Sequence, residues 1–214
     1  MTEQTITVNN LKLVIQEIAN IMGENKTYLC NLDSKLGDGD IGLSMSKGFQ
    51  YLSENLEELN QHDIGGSFIK SGLIIADKAP STIGALVGSA FMEGGKSIKG
   101  KSEITSKELA IFFNSMNHGI KQRGNAKQGD KTILDAMIPA SKTFSECVEK
   151  GEFLNIAIEK ACKSAENGMN DTIRLQSKFG RASRYLEDSI GLQDPGATVG
   201  YLLYKGFKNS LIKL

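Results

Sequence analysis

A chain of 214 residues with 40% hydrophobic side chains can bury roughly 70% of the surface its unfolded form exposes, which excludes intrinsic disorder and predicts one domain over residues 1–214. Its 25 basic and 25 acidic side chains cancel, so no global basic field draws it onto nucleic acid or an anionic membrane. Cys30, Cys147 and Cys162 form no C-x-x-C pair and His62 and His118 stand alone, which excludes a disulfide framework, a cysteine zinc site and a histidine-rich metal centre. The N-terminal MTEQTITVNN lacks a basic-then-apolar signal pattern, and no apolar run approaches the ~20 residues of a membrane span, so the chain reads as soluble and cytoplasmic.

The apolar residues recur at helical spacing, and no sustained period-2 run occurs. The fold class is therefore all-α. A first helix is predicted over 7–22, with Leu11, Val14, Ile15, Ile18 and Met22 on one stripe and Gly23 as its stop. A second covers 44–59 on Met45, Phe49, Leu52, Leu56 and Leu59; Pro80 divides a third over 64–79 from a fourth over 83–98. The fifth opens on the capping box Thr105 to Glu108 and stops near Gly124. The sixth, 131–149, carries Pro139 inside and should kink there; the seventh spans 152–176, and the eighth starts after Pro195. Short loops between eight helices predict an antiparallel bundle around one core.

Four loops rich in glycine, proline or small polar residues carry charge: 32–44, 77–84, 123–132 and 179–198. They follow the first, third, fifth and seventh helices, so an up-and-down bundle brings all four to one end. In the first, LDSKLGDGDIGLS, an extended stretch would turn Asp38 and Asp40 to one side and the preceding turn would return Asp33 to them. Three converging carboxylates repel unless a hard cation such as Mg²⁺ sits among them; the alternative is three solvated turn aspartates. Ser81, Thr82 and Gly84, and Gly129 to Thr132, would place backbone N–H groups of helix N-termini at the same end. Arg181 offers a planar fork for phosphate.

Three other templates fail on context. Gly37 to Gly42 fits G-x-G-x-x-G, but no strand precedes it and its two aspartates would repel a bare pyrophosphate. Gly95-Lys96-Ser97 resembles the end of a P-loop, yet Ala90 stands where the first glycine belongs. A calcium loop counted from Asp38 would need glycine at Leu43 and glutamate at Phe49.

The segments LGDGDIGLSM, RGNAKQGDKTILDAMIPA and GRASRYLEDSIGLQDPGATVG, in this order, resemble the L subunit of bacterial dihydroxyacetone kinase. The resemblance implies an eight-helix, barrel-like bundle with ADP at one end and two Mg²⁺ bridging its phosphates to Asp33, Asp38 and Asp40. It places the nucleotide against Ile41, Gly42, Leu43, Ser44, Thr82, Ile83, Gly124, Ile133, Arg181, Asp194, Pro195 and Gly196. It implies no nucleophile in this chain: dihydroxyacetone is held by a histidine of a K-type subunit. With no K domain fused, the chain resembles the phosphotransferase-system type. There a phosphohistidine of an M-type subunit recharges bound ADP in place, a phosphoenolpyruvate-glycerone phosphotransferase active only with its partners. Two departures, Ile41 in place of a small polar residue or histidine and ADKAPSTIGALVG in place of a glycine and serine run, leave the ketose open. Two alternatives remain: an ATP-dependent kinase subunit for dihydroxyacetone or another small ketose, and a nucleotide-loaded regulatory module acting on a partner such as a transcriptional regulator. The three aspartates and Arg181 favour the phosphotransferase.

Overall fold

Thr7 and Asn10 cap the first helix reciprocally, each side chain accepting the other's backbone N–H, and α1 follows over Val8–Glu24 with the predicted apolar stripe buried. A computed structural model describes residues 5–60 and 62–212. After α1 come α2 (Lys26–Asp33), α3 (Ile41–Glu54), α4 (Ile64–Lys78), α5 (Thr82–Ser97), α6 (Ser106–Gly124), α7 (Leu134–Glu149), α8 (Leu154–Asp171) and α9 (Pro195–Leu211).

Helix α2 fills a stretch for which no element was predicted and takes only Leu32 and Asp33 from the expected loop over 32–44. Its buried Leu29 and Leu32 are too few to register as a period. The stop expected at Gly23 falls instead at Asn25, whose side chain and N–H both bond the Ile21 carbonyl. The remaining boundary shifts also have local causes. α3 begins at Ile41 rather than 44 and ends at Glu54, before a 3-10 turn over Leu56–Glu58. α7 begins at Leu134 rather than 131 because Gly129 and Lys131 take φ of 91° and 61°, outside helical geometry. α8 stops at Asp171, not 176, and passes into a 3-10 turn over Thr172–Arg174. The Thr105 and Glu108 capping box is present, and α6 ends where Asn125 turns left-handed at φ 53°.

Leaving α2 aside, each helix packs on the next in a closed ring, α1, α3, α4, α5, α6, α7, α8, α9 and back to α1. This is an all-α, eight-helix barrel. Buried aromatics fill it: Phe113 meets Phe144 and Phe207 edge-on, with ring centroids 5.1 and 5.0 Å away. α4 and α5 approach to backbone contact through glycine pairs: a Cβ on Gly72 would lie 2.5 Å from the Gly88 carbonyl, and one on Gly65 2.5 Å from that of Gly95. Pro139 sits inside α7 and deprives the Asp135 carbonyl of its helical donor, and Gly168 of α8 packs there, where a Cβ would come within 2.1 Å. A two-residue antiparallel bridge, Ile6–Thr7 (β1) with Glu103–Ile104 (β2), joins the starts of α1 and α6; its strands are too short for an alternating pattern. No helix among the described residues is long and apolar enough to cross a membrane.

Candidate functional site

One end of the barrel opens into a cavity of about 790 Å³ walled by all four of the loops singled out from the sequence. Ile41, Thr82, Ile83, Ile133, Pro195 and Gly196 place the starts of α3, α5, α7 and α9 in its wall. Four helix N-termini, each with the partial positive charge of its dipole, therefore border one space; in α9 the first-turn N–H groups are taken up by the Asp194 cap.

The carboxylates of Asp33, Asp38 and Asp40 gather in that wall, with ligand oxygens all within 4.8 Å of one another. The route differs from the extended stretch expected. Asp33 is the last residue of α2, and its Oδ2 accepts the N–H groups of Asp40 at 3.0 Å and Ile41 at 3.5 Å, so this buried carboxylate folds the loop around itself. Gly37 is required by close approach: a Cβ there would stand 2.2 Å from Asp33 Oδ1. Asp40 has φ −105° and ψ −6°, a bend rather than a strand. Three charged oxygen donors and no sulfur or imidazole suit a hard divalent cation such as Mg²⁺.

Arg181 reaches back to the cluster and pairs with Asp38. It is carried by a strap, 172–194, that crosses from α8 to α9 and contains a 3-10 segment over Arg181–Ser189. The strap is tied at its base: Ser177 N–H donates to Ser189 Oγ at 2.9 Å, Gly191 N–H to the Ile173 carbonyl at 2.8 Å, and Asp194 N–H to Thr172 Oγ1 at 3.0 Å.

The 129–132 turn corrects a second expectation. The N–H groups of Gly129 and Thr132 do not face the cavity as free donors; the buried Asp135 carboxylate takes them at 2.6 and 2.7 Å. Burial pushes the Asp135 carboxyl up against the pull of those bonds. Asp130 accepts Lys127 N–H at 2.9 Å and pairs with Lys178 at 3.0 Å; burial opposes these contacts, which nonetheless hold it below the usual carboxylate range. Lys131 points inward to carbonyl groups of the strap. Asp194 caps α9 by accepting Ala197 N–H at 2.6 Å, and burial lifts its carboxyl to about 7.

Of the residues placed against a nucleotide by resemblance, Ile41, Thr82, Ile83, Gly124, Ile133, Arg181, Asp194, Pro195 and Gly196 line the cavity, and Gly42, Leu43 and Ser44 do not. Gly42 instead lets α3 lie on α2, since a Cβ there would be 2.0 Å from the Lys26 carbonyl. Leu43 is exposed, and Ser44 N–H bonds the Asp40 carbonyl. The sequence reading missed Arg123 and Arg184 at the wall, as well as Leu86 and Ile120. Arg123 adjoins Gly124 in a quoted motif and could have been found from it. Leu86 and Ile120 sit on helical apolar stripes, where a cavity wall and a core residue look alike.

Comparisons with known proteins identify the family and the fold. A profile of the DAK2 domain matches residues 35–209. The chain is 34% identical over 178 residues to the PEP-dependent dihydroxyacetone kinase, ADP-binding subunit DhaL, of Escherichia coli, covering 83% of this chain and 85% of that one. It is 32% identical over 202 residues to the ADP-binding subunit DhaL of PEP-dependent dihydroxyacetone kinase 2 from Listeria innocua, covering 94% and 93%. In fold it is similar to the dihydroxyacetone kinase from C. freundii crystallised with AMP-PNP and Mg²⁺, with a TM-score of 0.72 at 20% identity over 98% of this chain and 35% of that one. It thus spans about a third of the length of that kinase. By its sequence along most of its length, the chain belongs to the DAK2 domain family and, within it, to the DhaL subunits of dihydroxyacetone kinase.

Proposed function

We propose that this chain is the nucleotide-holding phosphotransferase subunit of a phosphoenolpyruvate-dependent dihydroxyacetone kinase. ADP would stay bound, be recharged by the phosphohistidine of an M-type subunit, and serve dihydroxyacetone held on a K-type subunit. The observation that carries this reading is the convergence of Asp33, Asp38 and Asp40 on a cavity bordered by four helix N-termini. That combination matches the opposite needs of a magnesium ion and a polyphosphate. The names of the Escherichia coli and Listeria relatives support the choice of phosphoryl source.

When bound, the Mg-nucleotide supplies the phosphoryl chemistry; this chain supplies placement and charge. Asp33, Asp38 and Asp40 would hold two Mg²⁺. Asp33 is already fixed by two N–H donors, so its geometry needs no reorganisation. Arg181 would exchange Asp38 for phosphate oxygens, its fork matching two of them at once. The N–H groups of Gly42 and Leu43 belong to the first turn of α3, where no helical acceptor exists, and would turn toward the phosphates with those of Thr82 and Ile83 in α5. Ser44 N–H is spent on the Asp40 carbonyl and adds nothing there. Gly124, Ile133, Asp194, Pro195 and Gly196 would border the rest of the nucleotide, with apolar contact from Leu86 and Ile120.

The test is a coupled assay on protein preloaded with trace radiolabelled ADP. With a K-type subunit, an M-type subunit and phosphoenolpyruvate-charged carrier proteins, continuous phosphorylation of dihydroxyacetone is expected with the label retained. Multiple turnovers on free ATP with the label washed out would replace this reading with an ATP-dependent kinase. Phosphorylation of a different ketose alone would move the substrate.

A further inference from the structure

Lys131 occupies a place that neither the carboxylate cluster nor the nucleotide contacts explain. It lies in the GDKT turn at the cavity wall, yet the residue is only 3% exposed and its ammonium is directed at the strap. Its Nζ donates to the carbonyls of Leu175 at 3.0 Å, Ser189 at 2.5 Å and Leu192 at 2.6 Å. An ammonium has three protons, and three acceptors use them all. The backbone is bent to reach this position: Lys131 holds φ 61°, a left-handed conformation that costs a non-glycine residue energy. The three carbonyls come from both ends of the strap that carries Arg181, and their convergence in a buried spot leaves few other donors for them.

We infer that Lys131 is a positioning residue for the nucleotide site: it gathers both ends of the strap on one ammonium and so holds Arg181 over the carboxylate cluster. The inference rests on the reading of the cavity as a nucleotide site. The neighbouring contacts divide the work. Asp130 holds Lys178, at the rising end of the strap, through its carbonyl at 3.2 Å and its carboxylate at 3.0 Å, while Lys131 closes the base. Removing the ammonium would leave three carbonyls without their donor and loosen the strap, which would then hang on its remaining ties, without touching the barrel core. A methionine in its place keeps the unbranched chain to within one atom of its length and loses every donor. An arginine keeps the charge, but its planar fork cannot aim at three acceptors arranged as a tripod.

The experiment compares wild type, Lys131→Met, Lys131→Arg and Phe68→Leu, a change in a buried α4 ring that packs on Phe91 and Phe112 and does not line the cavity, as full-length protein, by two readouts. Hydrogen exchange without nucleotide reports the strap amides. Stopped-flow with a fluorescent ADP analogue and Mg²⁺ reports association and release. Loss of even one hydrogen bond from a charged donor corresponds to about tenfold, so Lys131→Met should release nucleotide at least about tenfold faster at an unchanged association rate. Residues 176–191 should lose protection while the barrel helices keep theirs. Lys131→Arg should change in the same direction by less, and it carries the comparison should Lys131→Met not fold. Phe68→Leu should lower the melting temperature and leave strap exchange and release as in wild type. Unaltered strap exchange in the Lys131 variants, or equal acceleration of release in Phe68→Leu, would overturn the inference. A wild type that binds no nucleotide would overturn the reading of the cavity instead, with strap exchange still testing the clamp.

Discussion

Burial raises the Asp194 carboxyl to about 7, helped by the charge of Asp135 and opposed by the N–H groups of Ala197 and Gly196 and by Lys131. An acid whose pKa is higher folded than unfolded takes up a proton on folding, so its contribution to stability is complete below the unfolded value near 3.8 and is lost as pH rises through about 7. Asn cannot titrate but can still accept Ala197 N–H as a helix cap. Asp194→Asn should therefore flatten the decline in melting temperature across that pH window, as thermal denaturation at a series of pH values would show. An unchanged slope would place the titrating group elsewhere. The carboxylate cluster was readable at this scale because charged residues among glycines stand out against helical periodicity. The job of Asp33 as acceptor for Asp40 and Ile41 was not, because it depends on α2 ending where it does.

Among the elements, α4 and α5 depend on backbone contact at Gly72 with Gly88 and at Gly65 with Gly95. Gly72→Val would push a branched side chain against the Gly88 carbonyl and should cost about 3 kcal/mol, read from chemical denaturation. A change under about 0.5 kcal/mol, the usual scale of a surface substitution, would mean that the two helices can separate freely. Most of the helical ring could be read from apolar periodicity, since each of its eight members carries a buried stripe of several residues. α2 escaped because two leucines make no period. The late start of α7 and the early stop of α8 escaped because they are set by the left-handed residues 129 and 131 and by the ties of the strap, all of them tertiary choices. The insertion of α2 leaves the order of the ring unchanged because it packs on α1, α3 and α9 while α1 still meets α3 directly.

For the whole molecule, closing eight helices into a barrel does for the site what no single loop could. It fixes four N-termini and three carboxylates around one cavity before any ligand arrives. The strap, gathered at its base by Lys131 and tied to Asp38 by Arg181, adds a further wall to that cavity. The central claim is that Asp33, Asp38 and Asp40 hold a magnesium nucleotide at this end. Isothermal titration calorimetry of ADP into nucleotide-stripped protein, with and without Mg²⁺, tests it most directly in wild type, Asp38→Asn and Asp40→Asn. The account predicts one tight site per chain in wild type that requires Mg²⁺ and is abolished in both variants. Equal affinity in all three proteins, or binding indifferent to Mg²⁺, would contradict it.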